Sequence, residues 1–145
     1  MTKDIDVLND VTKTLIDSRK GYETCCEVAD DSFALQSNFQ ARAQRRRLLV
    51  KEFQDEVSSL GGEPEDNGSI AGSAHRAWTE FTTMFSNDQK AAAEAIDDGE
   101  EHLAKKVEDK LKEDALSPRT RLLLAKAMSD AREGESFADK LEAVL

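Results

Sequence analysis

Seven positions of one segment, Phe39, Ala43, Arg46, Val50, Phe53, Val57 and Leu60, are separated by 4, 3, 4, 3, 4 and 3 residues. Steps of three and four return side chains to one face of a helix, and alternating them makes a heptad seam. Such a seam needs an antiparallel neighbour to cover it. Arg46 interrupts it once. A guanidinium on an apolar seam must be desolvated, so it requires carboxylates beside it.

The remaining chain supplies the neighbours. Ile5, Leu8, Val11, Leu15, Tyr22, Cys26 and Ala29 recur mostly at helical steps, predicting a helix over about 4–29. Asp30, Asp31 and Ser32 break it, and Asp31 or Ser32 can cap the next helix, about 32–60. Gly61, Gly62 and Pro64 end that one, within a loop reading GGEPEDNGS. A shorter amphipathic stretch follows with Ile70, Ala74, Trp78, Phe81 and Phe85, predicting a short helix over 69–85. Ser86 and Gln89 can form a capping box for a third long helix, about 88–114, carrying Ala92, Ile96, Gly99, Leu103, Val107 and Leu111. Ser117-Pro118 then starts the last, about 118–143, with Leu123, Ala127, Ala131, Gly134, Phe137 and Leu141.

Connection lengths decide the topology. Helices 1–2 and 3–4 are joined by a few residues each and must form antiparallel hairpins. Helices 2 and 3 are some 27 residues apart, enough to carry the chain back along the bundle. The expected fold is all-α: a ferritin-like four-helix bundle of two antiparallel hairpins, with a short helix in the long crossover. All of 1–145 reads as one domain. Only seven Gly and two Pro argue against an all-β chain with its many turns.

Charge narrows the partners. Thirty acidic residues against twenty basic ones give a net charge of −10. Neither nucleic acid nor an anionic membrane surface rewards that balance. No apolar run approaches a bilayer span, and the first residues lack a signal-peptide core, so a cytoplasmic location is expected. Adjacent Cys25 and Cys26 suit a reducing compartment and read as two small apolar side chains rather than a redox or metal-binding pair.

Three stretches carry a family resemblance: GYE at 21–23, GGEPEDNGSIAGSAHRAW at 61–78, and DGEEHLAKKVEDKL at 98–111. Together they resemble a bacterial domain family of unknown function described as a ferritin-like four-helix bundle. Its most specific part here is Ala71, Gly72, His75, Arg76 and Trp78. The resemblance implies the fold from about Asn9 to Leu141 and supplies no activity.

Ferritin-like bundles often hold two metal ions with one Glu on each of two helices and Glu-x-x-His on the others. Hairpin geometry sets Glu23 level with positions 40–44, and Glu100 level with about 132. The matching pairs read Ala41-x-x-Gln44 and Arg132-x-x-Glu135. The resemblance implies Glu-x-x-Gln and a residue-x-x-His there, and this chain departs from both. Glu23, Gln44, Glu100 and Glu135 remain as candidate metal ligands, four oxygen donors suited to a weakly held hard ion. The competing reading gives Arg46 or Arg132 to the core carboxylates as charge compensation.

The other polar residues read more plainly. His75 and Trp78 share a face of the crossover helix and, with Phe81, suit packing on the bundle or an interface. His102 falls at the edge of the apolar stripe and reads as solvent-facing. Arg45 and Arg47 lie 100° to either side of Arg46, so the three make no single basic face. No nucleophile, nucleotide or hydrolase motif occurs.

The sequence therefore favours a non-enzymatic bundle with no cofactor, acting by protein interaction or as a homo-oligomer, a dimer in the simplest case. The alternative is a metal-binding ferritin-like protein, for storage or redox, with iron, manganese or zinc in a degenerate carboxylate site. Any enzyme here would be a metal-dependent, di-iron-like oxidoreductase.

Overall fold

The computed structural model describes residues 2–29, 32–68, 83 and 89–144. Four helices hold them: α1 (Thr2–Val28), α2 (Phe33–Ser59), α3 (Gln89–Leu111) and α4 (Pro118–Val144). No strand occurs among the described residues. No helix there is long and apolar enough to cross a membrane. The third helix ends three residues before the expected 114, at a turn, while the expected helix at 69–85 lies outside the described residues, with His75, Trp78 and Phe81.

Local chemistry sets the ends. Ser32 caps α2, its Oγ accepting from the Leu35 N–H at 3.2 Å. Gly61 takes φ +86°, a conformation that favours glycine, and closes α2. The Gly61 N–H then donates to Ser58 O (3.0 Å) and the Gly62 N–H to Val57 O (2.9 Å), which is a Schellman ending. Ser117 caps α4 by accepting from the Thr120 N–H at 3.2 Å. The Ser117 N–H in turn donates to Asp4 Oδ1 (2.8 Å), pinning the start of α1 to the start of α4.

Ion pairs and contacts fix how the helices face. Gln36 donates to Cys26 O across the α1–α2 turn at 2.9 Å. Lys106 and Lys110 both reach Asp10, at 3.1 and 2.8 Å, and Lys3 reaches Glu113 at 2.9 Å, so α3 runs antiparallel to α1. Lys126 meets Glu52 at 2.7 Å and Arg45 meets Glu133, so α4 runs antiparallel to α2. Each hairpin packs extensively within itself, and the two hairpins meet along α1–α3 and α2–α4.

The chain leaves α2 beside Ile5, at the first turns of α1. Asn9 clasps it there, donating to Glu63 O (3.0 Å) and accepting from the Glu65 N–H (2.8 Å). The start of α3 belongs to the opposite end, where Ala93 and Ile96 pack with Tyr22, Cys25 and Phe39. The end of α2 and the start of α3 therefore lie at opposite ends of the bundle.

The core comes in two parts. One cluster holds Leu8, Val11, Leu15, Val50, Phe53, Leu103, Leu123 and Leu124 among others; the second is built on Tyr22, Phe39, Ile96 and Leu141. Between them lies a layer of buried charge.

Candidate functional site

Arg46 sits on the α2 seam and is 0% exposed. Its Nη1 donates to Glu100 Oε1 at 2.8 Å and to Ser18 Oγ at 2.6 Å, and its Nη2 donates to Glu100 Oε2. Its Nε donates to Asp130 Oδ2 at 2.6 Å. Glu100 is 3% exposed. One guanidinium thus bridges all four helices: Ser18 on α1, Glu100 on α3 and Asp130 on α4 surround it. The fork-to-fork contact with Glu100 suits arginine's planar geometry.

Arg42, one turn earlier, is nearly as deep. Its Nη2 donates to Asp130 O at 2.8 Å and lies 3.3 Å from Asp130 Oδ1 and 3.6 Å from Glu100 Oε2. Two guanidiniums therefore balance two carboxylates. Both also stand over the Tyr22 ring, 5.8 Å (Arg42) and 5.7 Å (Arg46) from its centroid. Gly134 makes the room: a Cβ there would fall 1.5 Å from Glu100 Oε2.

Electrostatics keep the Arg46–Glu100 pair ionised. Burial alone would pull Arg46 down, but the Glu100 and Asp130 charges more than offset it and hold the guanidinium protonated. Burial pushes the Glu100 carboxyl above its usual range, against the pull of Arg46 and Arg42. Arginine does not give up its proton in a folded protein, so the two-point contact requires the carboxylate form of Glu100. Burial, then the Glu100 charge, also pushes the Tyr22 phenol up, leaving it neutral.

The four candidate oxygen ligands are scattered. Glu100 alone lies in this layer. Glu23 is half-exposed and pairs with Arg19 (3.1 Å) and Arg47 (3.4 Å). Gln44 is exposed and accepts from Arg47. Glu135 pairs with Arg132 at 2.6 Å, where Arg132 is exposed. Glu23, Gln44 and Glu135 each sit one residue past a buried neighbour (Tyr22, Ala43 and Gly134), a rotation of 100° off the core. As a donor set for a di-metal centre the layer does not fit: both its carboxylates are committed to guanidinium, and a cation would face two fixed positive charges. Of the residues that complete it, the seam reading missed Arg42 and Asp130. Both carry the signal, at helical steps from Phe39 and from Ala127.

A second acidic group stands one turn before Glu100 on α3. One ligand oxygen from each of Asp97, Asp139 and Glu142 lies within 4.8 Å of the others. Burial, then the charges of Asp139, Glu135 and Asp98, push Asp97 up to about 6. The folded chain thus holds this proton more tightly than the unfolded one, so stability present below about pH 4 falls as pH rises through 6. Asp97→Asn is expected to raise stability by about 1 kcal/mol at pH 7.5, allowing for solvent screening, and to change nothing at pH 3.5. Thermal melts at both pH values check it, and an equal gain at both would contradict this assignment.

Comparison with known proteins places the chain. A family model described as Domain of unknown function (DUF2383) matches residues 3–113. The chain belongs to that family. The DUF2383 match takes in Arg42, Arg46 and Glu100 and ends before α4, so Asp130 and Gly134 lie beyond it. No curated protein and no solved structure matches the chain.

Proposed function

We propose that this chain is a non-enzymatic bundle with a ferritin-like arrangement, acting in the cytoplasm through protein contacts, self-association as a dimer being the simplest. The ferritin-like reading rests on two antiparallel hairpins joined by a connection between opposite ends of the bundle. One observation carries the non-enzymatic reading. The polar centre, where ferritin-like bundles place metal ions, holds the Arg46 guanidinium with every donor group committed to Glu100, Asp130 or Ser18. A permanently charged, fully bonded group offers neither a general acid or base nor an open ligand position.

The surface then carries the role. Leu48 on α2 and Leu122 on α4 are 55% and 52% exposed. Leu48 borders a groove between these helices with Glu52, Lys126 and Glu133, a mixture of both charges that a second copy can complement.

Light scattering and elemental analysis on one untagged preparation test both halves. The expected result is a dimer, dissociated by Leu48→Glu with Leu122→Glu, and containing no stoichiometric metal. A monomeric parent removes self-association. Near-stoichiometric iron, manganese or zinc overturns the non-metal reading and restores the metal-binding alternative.

A further inference from the structure

A cavity of about 260 Å³ opens between α1 and α3, beside the charged layer. Tyr22, Cys25, Ile96 and Leu103 give it apolar walls, Ser18 and Glu100 stand at its polar end, and exposed Gly99 and His102 mark its rim. We propose that it binds a neutral, mainly apolar small molecule carrying one hydrogen-bond acceptor.

The acceptor is called for by Tyr22. This side chain is 97% buried (3% exposed) and lines the cavity, and its hydroxyl, next to Arg42, which can only donate to it, has no acceptor for its proton among the described residues. A buried donor of this kind is costly unless something accepts from it. Ser18 adds to the same end: its Oγ accepts from Arg46, which leaves its own proton to donate. The ring is held in place, with two guanidiniums over it and Phe39 at 6.4 Å between centroids, so the donor is pre-positioned.

Neutrality follows from the charge balance. Arg42 and Arg46 already match Glu100 and Asp130, so an ionic guest would be desolvated without a free counter-charge. Burial pushes the Cys25 thiol up as well, so this wall carries no thiolate. Size sets the class: a cavity of about 150 Å³ takes benzene, so this one suits a two-ring aromatic ketone or a short acyl compound.

2-Acetylnaphthalene is the probe, with naphthalene lacking the acceptor and 2-naphthoate adding a charge. Each is titrated into the full chain, following amide chemical shifts. Two variants keep the fold. Tyr22→Phe removes only a hydroxyl that has no acceptor among the described residues, and Gly99→Phe builds where none of the described residues lies within 4 Å of the Cβ position. The ketone is expected to bind the parent saturably with shifts on α1 and α3, roughly tenfold more weakly to Tyr22→Phe, and not to Gly99→Phe. Naphthalene should bind parent and Tyr22→Phe alike. No binding to the parent, or binding untouched by Gly99→Phe, overturns the site. Equal affinity for 2-naphthoate overturns its neutrality, and a ketone indifferent to Tyr22→Phe overturns the acceptor.

Discussion

Arg46→Met is expected to lower stability by about 3–5 kcal/mol, because it leaves two buried carboxylates, Glu100 and Asp130, with Arg42 alone to balance them. For a chain of this length that is a fall of roughly 10 °C or more in melting temperature. The loss belongs to the abandoned carboxylate rather than to the guanidinium. Removing Glu100 as well, in Arg46→Met with Glu100→Met, leaves Arg42 paired with Asp130. That double variant should regain most of the stability, since apolar replacement of a whole buried pair is often neutral or better. Denaturant melts of the parent, both single variants and the double measure the coupling directly. An unchanged or higher melting temperature in Arg46→Met alone would show that the layer contributes nothing to folding.

Gly134→Ala should cost about 2–3 kcal/mol, against the usual gain from replacing a helical glycine. Alanine normally adds about 0.5–1 kcal/mol mid-helix. Here its Cβ would lie 1.5 Å from Glu100 Oε2, 2.5 Å from Cδ and 2.9 Å from Cγ. A free carboxylate end could swing away; this one is gripped by Arg46 on both oxygens. Gly99, on the facing helix, is the control. None of the described residues lies within 4 Å of its Cβ position, so Gly99→Ala should stabilise by about the ordinary 0.5–1 kcal/mol. Opposite signs in thermal melts would tie the Gly134 requirement to Glu100. The two effects sharing a sign would break that link.

Most of the fold is legible in the sequence because long periodic segments and their caps are strong signals. Ser32, Gly61 and the Ser117-Pro118 pair mark helix ends within a residue or two of where they fall. Which residue of a polar pair faces inward is much less legible. On α3 the apolar stripe runs through Gly99, yet that glycine is exposed and Glu100 is buried. On α1 Cys25 is the buried thiol and Cys26 only partly so. A one-residue shift rotates a helix by 100° and leaves the pattern of apolar steps almost as convincing. The same ambiguity turns Glu23, Gln44 and Glu135 off the core. Arg46 stands out because six apolar neighbours frame it. Asp130 keeps a helical step from Ala127, but the polar run around it, SDARE, masks that signal.

The charged layer between the two apolar clusters also has a consequence for alignment. Apolar surfaces made of Leu, Val and Ala tolerate sliding, because one turn of displacement exchanges one greasy contact for another. The hairpin α1–α2 could then meet α3–α4 at several heights. Moving by one turn, about 5.4 Å, would carry Arg46 away from Glu100 and Asp130 together, leaving ions on both hairpins without partners in the interior. The guanidinium thus acts as a pin through all four helices, admitting one axial register and penalising the rest.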